Sequence, residues 1–145
     1  AKHKDFRRAR AAANNIIPTS TGAASAISKI IPELKNKING IAFRVPTSTV
    51  SVVDLVTTLS KKLTDETINQ VFMDASEDSM KNILYFEHEQ LVSSDFKKHP
   101  ASCIIDGSST ILSDKMVAKT IGWYDNEWGY ACRIMDICSL ISQTK

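Results

Sequence analysis

A chain of 145 residues with 43% hydrophobic and 23% charged side chains has enough apolar material for a buried core, which excludes a disordered or low-complexity polymer. The formal net charge is only +2. Lys2, Lys4, Arg7, Arg8 and Arg10 against Asp5 nevertheless concentrate positive charge at the start, a pattern suited to a small anion or a charged interface rather than an extended nucleic-acid surface.

Three cysteines, Cys103, Cys132 and Cys138, form no C-x-x-C pair. With no secretory leader and no apolar run of membrane length, they point to a soluble, reducing compartment, the cytoplasm. The sequence opens at Ala1 inside a charged, loop-like stretch, so a preceding N-terminal part is expected.

Residues 1–15 read as a basic then alanine-rich loop leading into a short strand at Ile16 and Ile17. Thr19-Ser20-Thr21-Gly22-Ala23-Ala24 follows, directly before an apolar series at Ala23, Ala26, Ile27, Ile30, Ile31 and Leu34, which predicts a helix from Ala23 to about Leu34. Hydroxyls and a glycine at a helix start have two readings. They are an ordinary cap for the helix's own N–H groups, or they admit a phosphate or carboxylate to the unpaired N–H groups and partial positive charge of the first turn.

Ile38 to Val45 is expected as a strand, with Ile41, Phe43 and Val45 on one face and Arg44 on the other beside Gly40 and Ala42. Arg44 is then either a surface arginine or a planar donor fork for phosphate. After the break at Pro46-Thr47-Ser48, Val50 to Leu59 reads as a second, longer strand, paired antiparallel with the first.

Thr64-Asp65-Glu66-Thr67 is a capped helix start, and Ile68, Val71, Phe72 and Ala75 supply its apolar stripe. Ile83 to Phe86 and Ser102 to Ile105 are short strands, Asp106 to Ser109 is a turn, and His88 and His99 fall in polar loops as surface residues. Four aromatics crowd Trp123 to Tyr130, and Tyr130, Ile134, Ile137, Cys138 and Ile141 then form one face of a C-terminal helix that needs a partner. The aromatic segment is either a packed corner or a setting in which the Asn126 amide meets a planar ligand. No G-x-G-x-x-G pattern, metal-ligand spacing or nucleophile–base pair is present. The fold expected is α+β, a mixed and largely antiparallel sheet with helices packed on one face plus a C-terminal amphipathic helix.

These segments together resemble the C-terminal part of the phosphorylating glyceraldehyde-3-phosphate dehydrogenase family. The resemblance rests on Arg7 to Ala13, Asn15 to Pro18, Ser20 to Ala24, Ala42 to Thr47, Val50 to Leu55, Trp123 to Glu127, and Gly129-Tyr130, in family order and nearly end to end. It implies that Thr21 and Gly22 bind the attacking inorganic phosphate, that Arg44 contacts the phosphate groups of substrate and attacking anion, and that Arg8 is an additional anion-site arginine. Asn126 matches the residue that holds the nicotinamide carboxamide of NAD, with Tyr130 packed nearby.

It further implies glyceraldehyde 3-phosphate as substrate, a homotetramer, and residues 1–145 as a partial catalytic domain. The family's NAD-binding domain, nucleophilic cysteine and base histidine would lie before Ala1, so no catalytic residue is expected in this chain. Erythrose-4-phosphate dehydrogenase is the alternative within the superfamily. A non-catalytic module binding protein or RNA is the alternative outside it.

Overall fold

A computed structural model describes residues 2–143, in two units divided between Ser48 and Thr49. In the first unit the basic start is a turn organised by Asp5, whose carboxylate accepts the Arg7 N–H at 2.9 Å and whose carbonyl accepts the Ala9 N–H at 3.1 Å. A short 3-10 turn at Ala12–Asn14 leads into strand β1 (Ile17–Thr19), helix α1 (Ala23–Ile30), a 3-10 turn at Pro32–Leu34, and strand β2 (Ala42–Arg44). β1 and β2 form an antiparallel ribbon with Ile17 opposite Arg44 and Thr19 opposite Ala42.

Helix α1 ends four residues before the predicted limit. Proline disfavours helical geometry in the residue before it, and Ile31, at φ −121 and ψ 84 ahead of Pro32, has left the helix. The predicted strand from Ile38 shrinks to three residues, and Ile41, Phe43 and Val45 are all exposed. β2 also pairs with β1, not with the strand that follows it. The break at Pro46 is thus a passage between units and not a hairpin turn.

The second unit holds strand β3 (Ser51–Thr58), helix α2 (Asp65–Glu77), and strands β4 (Leu84–Glu87), β5 (Cys103–Asp106), β6 (Ile111–Ser113) and β7 (Val117–Tyr124), then helix α3 (Asn126–Gln143). The sheet order is β3-β7-β5-β4, with β6 also on β7. β3 and β7 pair antiparallel over eight residues, from Ser51 opposite Tyr124 to Thr58 opposite Val117. Only β4 and β5 are parallel, and residues 88–102 form the long crossover that such a pair requires. The architecture is α+β.

Successive strand residues face opposite sides of a sheet, so Ile104 and Ile105 seed two clusters. Ile104 packs with Val50, Phe96 and Ala101, against Leu91 and Trp123, while Ile105 packs with Leu84 and Phe86 against Phe72, Met73, Ala75 and Cys103. Helix α2 therefore covers one face, as its periodicity predicts, and its Thr64 cap accepts the Thr67 N–H at 3.2 Å. Val71, assigned to the same stripe, is exposed. The predicted turn after β5 is a 3-10 turn capped by the buried Asp106, which accepts from Ser108 Oγ, the Ser109 N–H and Trp123 Nε1.

Candidate functional site

In the first unit the structure builds the loop between β1 and α1 as follows. Thr21 Oγ1 accepts the Ala23 N–H at 3.2 Å, Gly22 occupies the N-cap position, and the Gly22 carbonyl accepts the Ala26 N–H at 3.0 Å as the first helical bond. The hydroxyl is thus spent as an acceptor and keeps its proton to donate. Among the described residues the N–H groups of Ala24 and Ser25 have no partner, as the first turn of a helix dictates. Gly22 has φ −86, so its conformation does not demand glycine, and a Cβ built there would meet nothing within 4 Å. The space in front of the helix start is open.

Arg8 reaches the same loop. One guanidinium nitrogen donates to the Ser20 carbonyl at 3.5 Å, and Asp5 holds another at 3.5 Å. Arg44 lies on the ribbon face shared by Ile17, Thr19 and Ala42, because directly opposed residues of an antiparallel pair project to the same side. Thr21 continues that row, its Cγ2 standing 3.9 Å from where a Cβ on Gly40 would be. Small residues at 40 and 42 thus separate the Thr21 level from Arg44 by about 14 Å of strand. The structure brings Arg8 to the loop and puts Arg44 on its face, with no hydrogen bond between Arg44 and the other three among the described residues. The Arg44 guanidinium is exposed, and among the described residues it has no ion-pair partner.

In the second unit Asn126 is the first residue of α3 and Tyr130 stands one turn on, so both occupy one helix face. Tyr130 is 70% exposed, and among the described residues the Asn126 amide makes no hydrogen bond, leaving its donors and acceptor available. An amide beside an exposed ring fits a planar group that carries a carboxamide. Residues that sequence reasoning missed hold this helix start: the buried Asp125 accepts the Lys98 N–H at 2.9 Å and the Trp128 N–H at 3.4 Å. The signal was available, since Asp immediately before a helix is a favoured N-cap.

A groove of about 1290 Å³ lies elsewhere in this unit, among α2, β4 and α3, with Met73, Leu84, Phe86, Ala131 and Met135 in its walls. None of the six predicted site residues lines it. Its mainly apolar walls also carry Glu77, Lys81, Arg133 and Asp136, and Arg133 is engaged by Asp136 and the Asn82 carbonyl.

The two histidines of the second unit divide. His88 is exposed, edge-on to Phe86 with ring centroids 4.9 Å apart. His99 is half-buried, contrary to the surface position expected, because its ring tilts against Tyr85 at 5.0 Å and its Nδ1 accepts the Ala101 N–H at 3.2 Å. Burial holds the His99 pKa below its ordinary 6.5, against the opposing pull of Glu87. Burial likewise pushes the Cys103 thiol above its ordinary value, away from nucleophilic chemistry.

Residues 1–126 match the model of the glyceraldehyde 3-phosphate dehydrogenase C-terminal domain. The chain belongs to the glyceraldehyde 3-phosphate dehydrogenase family. It is 51% identical over 143 residues to glyceraldehyde-3-phosphate dehydrogenase 2 of Trichormus variabilis, covering 99% of this chain and 42% of that protein. Against the cytosolic and the chloroplastic A enzymes of Chlamydomonas reinhardtii it is 52% identical over 134 residues and 50% over 143. Those alignments cover 92% and 99% of this chain, and 39% and 38% of the relatives. The chain thus spans about two-fifths of the length of the curated glyceraldehyde-3-phosphate dehydrogenases it matches. Among the described residues no helix is long and apolar enough to cross a membrane.

Proposed function

We propose that this chain is the anion-binding part of a phosphorylating dehydrogenase that converts glyceraldehyde 3-phosphate, inorganic phosphate and NAD to 1,3-bisphosphoglycerate and NADH. The observation that carries the reading is the Thr21 loop, where a hydroxyl with its proton to give, two unpaired N–H groups and the Arg8 guanidinium surround open space. Inorganic phosphate is held there by Thr21 and the first turn of α1, with Arg8 as a further cation. Arg44 meets phosphate on the adjoining face, from substrate or attacking anion. Fixed donors of this kind bind a reacting anion without reorganising as its charge moves.

NAD, when bound, supplies the hydride acceptor. This chain contributes Asn126, which donates to and accepts from the carboxamide, and Tyr130, whose ring lies alongside. The thiolate nucleophile, its base and the domain holding the rest of NAD belong to sequence outside residues 1–145. We place the whole protein in the cytoplasm as a homotetramer; three unpaired cysteines support a reducing compartment.

The test is phosphate-dependent NADH formation by the whole protein that contains this chain, with glyceraldehyde 3-phosphate compared with erythrose 4-phosphate. Arg44→Ala should raise the KM for both aldehyde and phosphate by roughly tenfold or more, the value of a lost charge-assisted hydrogen bond. Unchanged kinetics for both would remove Arg44 from the site, and a higher rate on the four-carbon sugar would change the substrate.

A further inference from the structure

We propose that Asp125 is a positioning residue for Asn126, using its two carboxylate oxygens to tie the loop at Lys98 to the first turn of α3. This rests on the reading of Asn126 as the nicotinamide contact and goes beyond it by naming what sets the amide in place.

Helix ends fray unless something holds them, and Asn126 is the first residue of its helix. An exposed Ser, Thr or Asn would suffice as a cap. Asp125 is instead a carboxylate at only 6% exposure, which is unfavourable to bury unless its oxygens are satisfied. One oxygen caps the helix through the Trp128 N–H at 3.4 Å, and the other leaves the helix altogether to accept the Lys98 N–H at 2.9 Å. The residue that donates this second bond, Lys98, lies in the left-handed region, at φ 60. A non-glycine residue stays there only where its surroundings over-determine it.

Two further features fix the same junction. The Lys98 ammonium stands 5.8 Å from the Trp128 ring centre, and a Cβ on Gly129 would lie 3.0 Å from the Ala101 carbonyl oxygen. The loop from Lys98 to Ala101 therefore touches Asp125, just before α3, and α3 itself at residues 128 and 129, bracketing Asn126 while leaving it exposed. A helix start held this way leaves less freedom to lose when the Asn126 amide binds, which is how preorganisation raises affinity.

The experiment compares binding of NAD with binding of ADP-ribose, which lacks the nicotinamide, by calorimetry on the whole protein and on Asn126→Ala and Asp125→Asn variants. Amide hydrogen exchange at Lys98 is followed in parallel. Asn keeps the N-cap, so Asp125→Asn retains the fold, but its amide has one oxygen, and the NH2 that replaces the other cannot accept the second N–H.

We expect Asn126→Ala to weaken NAD roughly tenfold, and Asp125→Asn roughly threefold, with ADP-ribose unchanged in both and faster exchange at Lys98 in the second. Asp125→Asn with faster exchange but wild-type NAD affinity overturns the proposal. So does an equal loss for both ligands, which marks a merely structural residue. Absence of a selective NAD loss in Asn126→Ala overturns the nicotinamide reading itself, and the positioning role with it.

Discussion

The two units carry their candidate groups in opposite ways. Up to Ser48 the candidate anion-binding residues sit in the N-terminal turn, at the start of a helix with no buried residue and on a three-residue strand. From Thr49 on, Asn126 and Tyr130 stand on a helix whose first turn is fixed by a buried carboxylate and a close backbone approach. In the first unit the candidate groups and the buried residues are different, so a candidate side chain can be changed there with little effect on stability. In the second, the groups that hold the site also hold the fold.

Glycines give the sharpest way to break that comparison. A Cβ at Gly107 would overlap the Phe86 ring and stand 3.1 Å from the Glu87 carbonyl oxygen, whereas one at Gly22 meets nothing. Gly107→Ala should destabilise by about 3 kcal/mol or more, at the upper end for overpacked sites. Gly22→Ala should stay within about 0.5 kcal/mol of wild type and instead raise the KM for phosphate. Urea unfolding and phosphate titration of the whole protein measure both. A Gly22→Ala protein that loses stability would show that the first unit is not built as argued.

Val50 offers a smaller and less intuitive contrast within the second unit. It is a β-branched residue at φ 69, where such side chains are strained, yet it is buried beside Ile104. Val50→Ala removes about 1.6 kcal/mol of burial and keeps most of the strain. Val50→Gly removes about 0.8 kcal/mol more but recovers about 1–2 kcal/mol of left-handed penalty. The glycine variant should therefore match or exceed the alanine variant in stability, the reverse of the usual order. An alanine variant that is clearly the more stable would mean that packing, not backbone strain, dominates at this position.

What was legible in the sequence follows the same division. Local chemistry read true: Thr64 capped α2, Ile68 and Phe72 turned inward, and Asp106 opened a turn, because each depends on neighbours within four residues. The partner of β3 was not legible, since β7 lies about sixty residues on and nothing near β3 encodes that register. Pro46 was taken for a hairpin break because strand patterns record which face is apolar and not which strand lies alongside. The overrun of α1 was a different failure, in which an apolar series at Ile30, Ile31 and Leu34 outweighed the proline that ends the helix at Ile30. The capped helix start after Thr21 could be read from residue types and spacing. That Arg8 would come to the Ser20 carbonyl, twelve residues away, could not.

His99 supplies the mildest test. Its Nδ1 accepts the Ala101 N–H, which a protonated imidazole cannot do, and Ala101 is the residue whose carbonyl lies against Gly129. Because burial lowers the folded-state pKa below 6.5, the unfolded chain takes up the proton first as pH falls. By linkage, stability should decline from about pH 6.5 downward to the folded-state pKa, with no contribution from this group at higher pH. The loss belongs to the second unit alone. His99→Gln, which keeps an acceptor but cannot titrate here, should flatten that part of the stability profile measured by urea unfolding between neutral and mildly acidic pH. An unaltered slope in the variant would assign the acid sensitivity to other groups and leave the loop before β5 outside the pH response.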